Sequence, residues 1–169
     1  MKVTGYKIQH KLKELEQLKE VAAQQFNDNI MQFESQNEKM ELPEVFASYT
    51  TLEKKIAKLQ GAQCQYNLAV NVNVLGEDMS LLEAVKLVGG AGRSEKMWKD
   101  VVKGNRTRHH GYGEQTRSKD QEYAVRSVTI NDAVGFAQQS TKIAGALREA
   151  IQVGNATEIE LDLDEALFN

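Results

Sequence analysis

The chain has 169 residues, 41% of them hydrophobic, with a formal net charge of -3 and a pI near 5.7. That length buries a core without disulfide or metal staples, so one helical domain over 1–169 is expected. The acidic balance excludes wholesale wrapping of nucleic acid or of an anionic membrane, and no apolar run approaches the ~20 residues that span a bilayer. The single cysteine, Cys64, excludes an intramolecular disulfide, and with no leader-like start it points to a reducing, cytoplasmic setting.

A first helix is predicted from near Thr4, with Ile8, Leu12, Leu15, Leu18, Ala22, Phe26, Ile30 and Phe33 recurring at helical spacing. Residues 35–42 have no period, and Pro43 suits the first turn of a second helix because its missing N–H would be unpaired there. In that helix, predicted to about Asn67, Val45, Tyr49, Leu52, Ile56, Leu59, Tyr66 and Val70 step by fours and threes, and Gln63 interrupts the run. Such spacing needs a partner helix, and the short turn makes the first helix that partner, antiparallel.

From Leu68 to Val74 the apolar period becomes two, which predicts a strand ending at a Gly76–Asp78 turn. Ser80 and Glu83 form a capping-box pattern that opens a third helix containing Leu81, Leu82, Val85 and Val88. Gly89, Gly90 and Gly92 predict a break or a close backbone contact before Met97, Trp98, Val101 and Val102 resume the helix. Residues 104–120 contain no aliphatic side chain and read as a long loop, with 103–122 an inserted loop or flap. A second strand is expected over 123–130, then an Asn131 N-cap and a fourth helix. That helix would bury Phe136, Ser140, Ile143, Leu147 and Ile151 and stop at Gly154-Asn155. Thr157–Leu163 alternates as a strand that would pair with 123–130 or 68–74. The fold expected is mainly α, a long antiparallel helical hairpin plus two further helices, with a small β element of two or three short strands.

Charge is unevenly distributed. Residues 93–126 hold nine Lys and Arg against five acids, whereas 131–169 hold two against seven. An anionic ligand therefore belongs in the middle of the chain. Arg106, Arg108, Arg117, Lys119 and Arg126 offer paired or single donors for phosphate, Gly104, Gly111 and Gly113 let backbone amides approach it, and Tyr112, His109 or His110 can stack on a base. No phosphate-loop or dinucleotide fingerprint is present. The pair His109-His110 lacks the spaced ligands of a metal centre, so neither metal nor cofactor is expected. Cys64 lies within a helix, without a helix N-terminus to lower its pKa, and is expected as a packed thiol. Glu158, Glu160 and Asp162 are expected as a solvated strand face.

The order of several segments resembles a family of bacterial and phage proteins that carries the label septicolysin. The segments are Leu52 to Leu59 leading to Asn67, the Ser80 to Ala84 cap, Arg126 to Asp132, and Leu147 to Gln152 followed by Asn155. The resemblance implies a helical hairpin with a small β element and lends no catalytic residue; 103–122 departs from the family's compact pattern. Its toxin label implies pore formation, yet 123–130 and the acidic 157–163 are too short for a membrane β-hairpin.

The functional expectation is a non-enzymatic helical homo-oligomer that binds a small nucleotide-like anion through 104–126, with nucleic acid disfavoured and no stable membrane insertion. A phage protein sequestering a cyclic-nucleotide defence signal is its most specific version. The alternative is a structural or protein-interaction scaffold without a small ligand, and a pore-forming protein ranks below both.

Overall fold

The computed structural model describes residues 1–31, 41–103 and 127–168. Its elements are β1 (Lys2–Val3), α1 (Gly5–Asp28), α2 (Leu42–Ala69), β2 (Asn71–Val74), β3 (Glu77–Ser80), α3 (Leu81–Val102), α4 (Ile130–Ala156) and β4 (Ile159–Glu160), followed by a 3-10 turn at Glu165–Leu167. The architecture is mainly α with a small β element, as expected. It consists of two antiparallel helical hairpins, α1 on α2 and α3 on α4, joined at one end.

Thr4 caps α1 by accepting from the Lys7 N–H, and the helix buries Gly5, Ile8, Leu12, Leu15 and Ala22. The predicted face rotates slightly midway along the helix. Leu18 is 47% exposed, and the inward position falls on Lys19, whose Nζ meets Glu53 of α2 at 3.3 Å. Facing α1, α2 buries Ile56, Leu59, Ala62 and Tyr66, so Ala62 fills the gap that Gln63 leaves in the seam. Cys64 is exposed rather than packed, because it lies off that buried stripe.

In α3 the capping box forms as predicted, with the Ser80 hydroxyl accepting from Glu83 N–H and the Glu83 carboxylate accepting from Ser80 N–H. The helix runs without a break through Gly89, Gly90 and Gly92, where an added Cβ would meet nothing closer than arginine nitrogens at 3.6 Å. Its inward positions are Leu81, Ala84, Val88, Ala91, Glu95, Trp98 and Val102, an uninterrupted three-four alternation. Opposite it, α4 buries Ala133, Ala137, Ala144, Leu147, Ala150 and Gly154. Phe136 and Ile143, expected inside, are 44% and 37% exposed. Small residues let the two helices approach closely, and the bulky neighbours are left on the flanks. Thr129 caps α4 instead of Asn131, its hydroxyl accepting from Asp132 N–H.

The β elements correct the sequence reading. α2 continues to Ala69, which leaves Leu68 on a helix, 60% exposed. The Leu75-Gly76 turn then joins β2 to an unforeseen partner, β3, with Val72 opposite Met79 and Val74 opposite Glu77. Of the predicted strand at 123–130, residues 123–126 lie outside the described residues, 127–129 form no strand, and Ile130 begins α4. The C-terminal strand is reduced to β4 and pairs with β1, Lys2 opposite Glu160, rather than with 68–74; of the other expected partner, 123–126 lies outside the described residues. The Met1 ammonium donates to Leu161 O at 2.6 Å and holds that pairing in place.

The hairpins join around Tyr66. This side chain is fully buried, and its hydroxyl faces the carbonyls of Gly154 at 2.7 Å and Thr157 at 2.5 Å. Burial pushes the phenol pKa up, a change partly offset by the Gly5 backbone N–H that the oxygen accepts, so Tyr66 stays a donor. A Cβ on Gly5 would lie 2.4 Å from Asn155 Oδ1, and one on Gly154 2.8 Å from Leu81 Cδ1. Gln9 donates to the buried Asn155 Oδ1 at 3.1 Å. Val3, Ile8, Leu59, Val70, Val72, Leu81, Leu147 and Leu167 close the apolar core around this knot.

Two outcomes test this packing in urea unfolding. Tyr66→Phe removes the buried hydrogen bond from the hydroxyl to Gly154 O and should cost about 1–3 kcal/mol, with Gly5→Ala similarly damaging through overpacking. Leu15→Ala should cost about 2–5 kcal/mol, whereas Leu18→Gln should lie within about 0.5 kcal/mol of the parent; equal losses at both positions would contradict the observed face of α1.

Candidate functional site

The eight sequence-predicted ligand residues, Arg106, Arg108, His109, His110, Tyr112, Arg117, Lys119 and Arg126, lie outside the described residues. The chain leaves the described structure after Lys103, at the end of α3, and returns at Ser127, just before α4. Both points belong to the end of the α3–α4 hairpin remote from Tyr66.

At that end α3 and α4 enclose an open cleft of about 580 Å³, lined by Lys99, Val102 and Lys103 from α3 and by Val134, Ala137, Gln138, Thr141 and Lys142 from α4. The sequence explains its shape. Ala137 is a buried small residue on the seam, and Val102 and Val134 are half-buried, so the floor is apolar and shallow. The lysines form its rim. Lys103 and Lys142 are exposed and make no ion pair among the described residues, whereas Lys99 is held by Glu95 at 2.7 Å.

Glu95 organises the region behind the cleft. Its side chain is only 13% exposed, and it accepts from Lys99, from Arg148 at 3.1 Å and from the Thr141 hydroxyl at 3.3 Å. The bonds from Lys99 and Arg148 hold its carboxyl below the ordinary value of 4.5. Ser94 and Ser140 hydroxyls lie 3.3 Å apart, and Trp98 packs on Phe136 with ring centroids 4.6 Å apart. These pairs fix the antiparallel register of α3 and α4, in which Lys103 and Lys142 line the cleft from different helices. Sequence reasoning missed Lys142, Thr141 and Gln138 as cleft residues opposite Lys99 and Lys103. The signal was the seam of α3 continued through Glu95, which sets the register with α4.

Chemically, a cleft with an apolar floor and cationic rim suits a flat or aliphatic group bearing negative charge. Among the described residues no group of three or more His, Cys, Asp and Glu side chains is placed to hold a metal ion, and no helix is long and apolar enough to cross a membrane. His10 is exposed on α1, away from this end.

No protein-family model and no curated protein matches the chain. The fold does occur in a solved structure, the crystal structure of a functionally unknown conserved protein from Corynebacterium diphtheriae. The two share 14% sequence identity with a TM-score of 0.68, over 95% of this chain and 100% of that one. At that identity the similarity concerns the fold.

Glu95 yields a pH test. Because its folded pKa is lowered, its contribution to stability is present above the ordinary carboxyl value of 4.5 and is lost as pH falls through the lower folded value. Denaturant unfolding from pH 7 to pH 3 should therefore show a shallower acid loss in Glu95→Gln than in the parent; parallel curves would mean that the Glu95 bonds do not form in solution.

Proposed function

We propose that the protein is a non-enzymatic binding protein for a small nucleotide-like anion, held at the remote end of the α3–α4 hairpin. The observation that carries this reading is the apolar cleft rimmed by Lys103 and Lys142, which make no ion pair among the described residues, at the end of the hairpin where the basic segment 104–126 leaves α3. In this reading Val102, Val134 and Ala137 receive the base or ring, and Lys103 and Lys142 meet its charge. Arg106, Arg108, Arg117, Lys119 and Arg126 neutralise further phosphates, while His109, His110 or Tyr112 stacks on the exposed face. The cleft volume lies within the ~300–1,000 Å³ of common small-molecule sites. In its most specific form, the protein is a phage sequestering factor that binds a cyclic-nucleotide defence signal stoichiometrically, consistent with the resemblance to phage proteins in the septicolysin-labelled family.

A second reading is a scaffold that meets a protein through the same end, and a separate observation favours it. Met97 and Ile130, towards the same end of the hairpin, are 68% and 56% exposed. Burying such residues between copies would also build the proposed homo-oligomer.

Thermal-shift and calorimetric titration with ATP, cyclic AMP and cyclic dinucleotides tests the choice. A ligand at a hundred times its Kd should stabilise the protein by about 2.7 kcal/mol. The double variant Lys103→Glu/Lys142→Glu should abolish that shift without lowering the melting temperature of the free protein. No stabilisation by any of these anions, together with a concentration-dependent mass that Met97→Glu reduces, would favour the scaffold.

A further inference from the structure

At the base of the molecule, at the end remote from the lysine cleft, β2 pairs with β3 alone among the described residues. In the β2–β3 ladder, Leu81 N donates to Val70 O at 2.8 Å, and with Asn71 opposite Ser80 the hydrogen-bonded pairs fall at Val70, Val72 and Val74. The backbone N–H and C=O groups of Asn71 and Asn73 therefore point away from β3, along a free edge. Edge strands are normally blunted by charge. β3 carries Glu77 and Asp78, and the β1–β4 pair carries Lys2 and Glu160; β2, Asn-Val-Asn-Val, carries none.

Beside this edge lies a groove of about 440 Å³ between β2 and α4. One stripe of α4, Ala146, Ala150 and Val153, lines it, with Glu149 alongside. Val153 is 63% exposed, and Glu149 has no ion-pair partner among the described residues. Leu75 closes one end. It occupies the first position of a tight turn at φ 56, followed by Gly76 at φ 94, where Asn or Gly is favoured. An exposed leucine held in the left-handed region is costly for the turn, yet it supplies an apolar end to the groove.

We propose that β2 and this stripe of α4 accept an extended, basic peptide of another protein as a third strand. The free backbone groups of Asn71 and Asn73 specify an extended main chain. Ala146, Ala150 and Val153 specify small or branched apolar side chains at alternate positions, and Glu149 specifies a lysine or arginine near them. A second copy of this chain is the poorer occupant, because its own α4 lies against the same face of its β2 and would compete for the layer already filled.

The test uses the full chain, isotope-labelled for NMR, and a pool of acetylated pentapeptides of pattern Val-Lys-Val-x-Val, with x any residue except proline. Saturable shifts are expected at the Asn71 and Asn73 amides and the Leu75 and Val153 methyls, with hydrogen exchange at those amides slowed about tenfold. Val153→Glu, an exposed change that should leave the melting temperature intact, should abolish the shifts, and Glu149→Lys should weaken them severalfold. An absence of saturable shifts at millimolar peptide overturns the proposal. So does binding that persists in Val153→Glu, or with peptides N-methylated at the central valine.

Discussion

The close approach of three helices at the Tyr66 hydroxyl is the constraint on which the rest of the structure depends. α1 begins there with Gly5, α2 supplies the tyrosine, and α4 ends there with Gly154 and Asn155. A side chain at either glycine would crowd Asn155 or Leu81, and a missing hydroxyl would remove the buried bond that ties α2 to the end of α4. Because β1, β4 and the last residues pack onto the same knot, the hydrogen bonds, the close contacts and the apolar core reinforce one another.

Away from that knot, each hairpin is held by its own seam, and the two seams differ in kind. α1 and α2 meet through leucine, isoleucine and the Phe26–Phe46 contact, whereas α3 and α4 meet largely through alanines. Each seam nevertheless admits one charged pair, Lys19 with Glu53 and Glu95 with Arg148. Partly exposed pairs of this type add little energy. Their value is in alignment, because a slip of one helical turn would leave Lys19 or Glu95 facing apolar side chains. The register so chosen in the second hairpin sets which residues of α3 and α4 wall the cleft, with Lys103 and Lys142 on opposite helices.

The helices were largely legible in the sequence because apolar spacing, the Thr4 cap and the Ser80–Glu83 box are local signals. What escaped was decided by packing. Leu18, Phe136 and Ile143 were read inward because hydrophobicity ranks them above Lys19 and the alanines, yet close helix approach selects small residues. Leu68 to Val74 looked like one strand because its apolar residues alternate, although Tyr66 and Val70, four apart, still follow the helical face of α2. β3, with its polar Glu77 and Asp78, carried no strand signal; only its backbone pairing makes it one. The β1 partner of the C-terminal strand was missed because Lys2–Val3 is too short to show a period. For the candidate site the sequence located the basic segment, while the cleft beside it depends on helix register and could not be read from composition.

The shared core lies at one end of the molecule, and the buried alanines of the outer halves, Ala22, Ala133, Ala137 and Ala144, stand outside it. Each hairpin tip is thus a separate closure. The connection over 103–129 is roughly twice as long as that over 29–41, and a doubling of loop length costs only about 0.6 kcal/mol. Neither Tyr66 nor the glycines around it respond to what a tip contains. The fold can consequently take changes of length and sequence at the tips while its foundation stays the same.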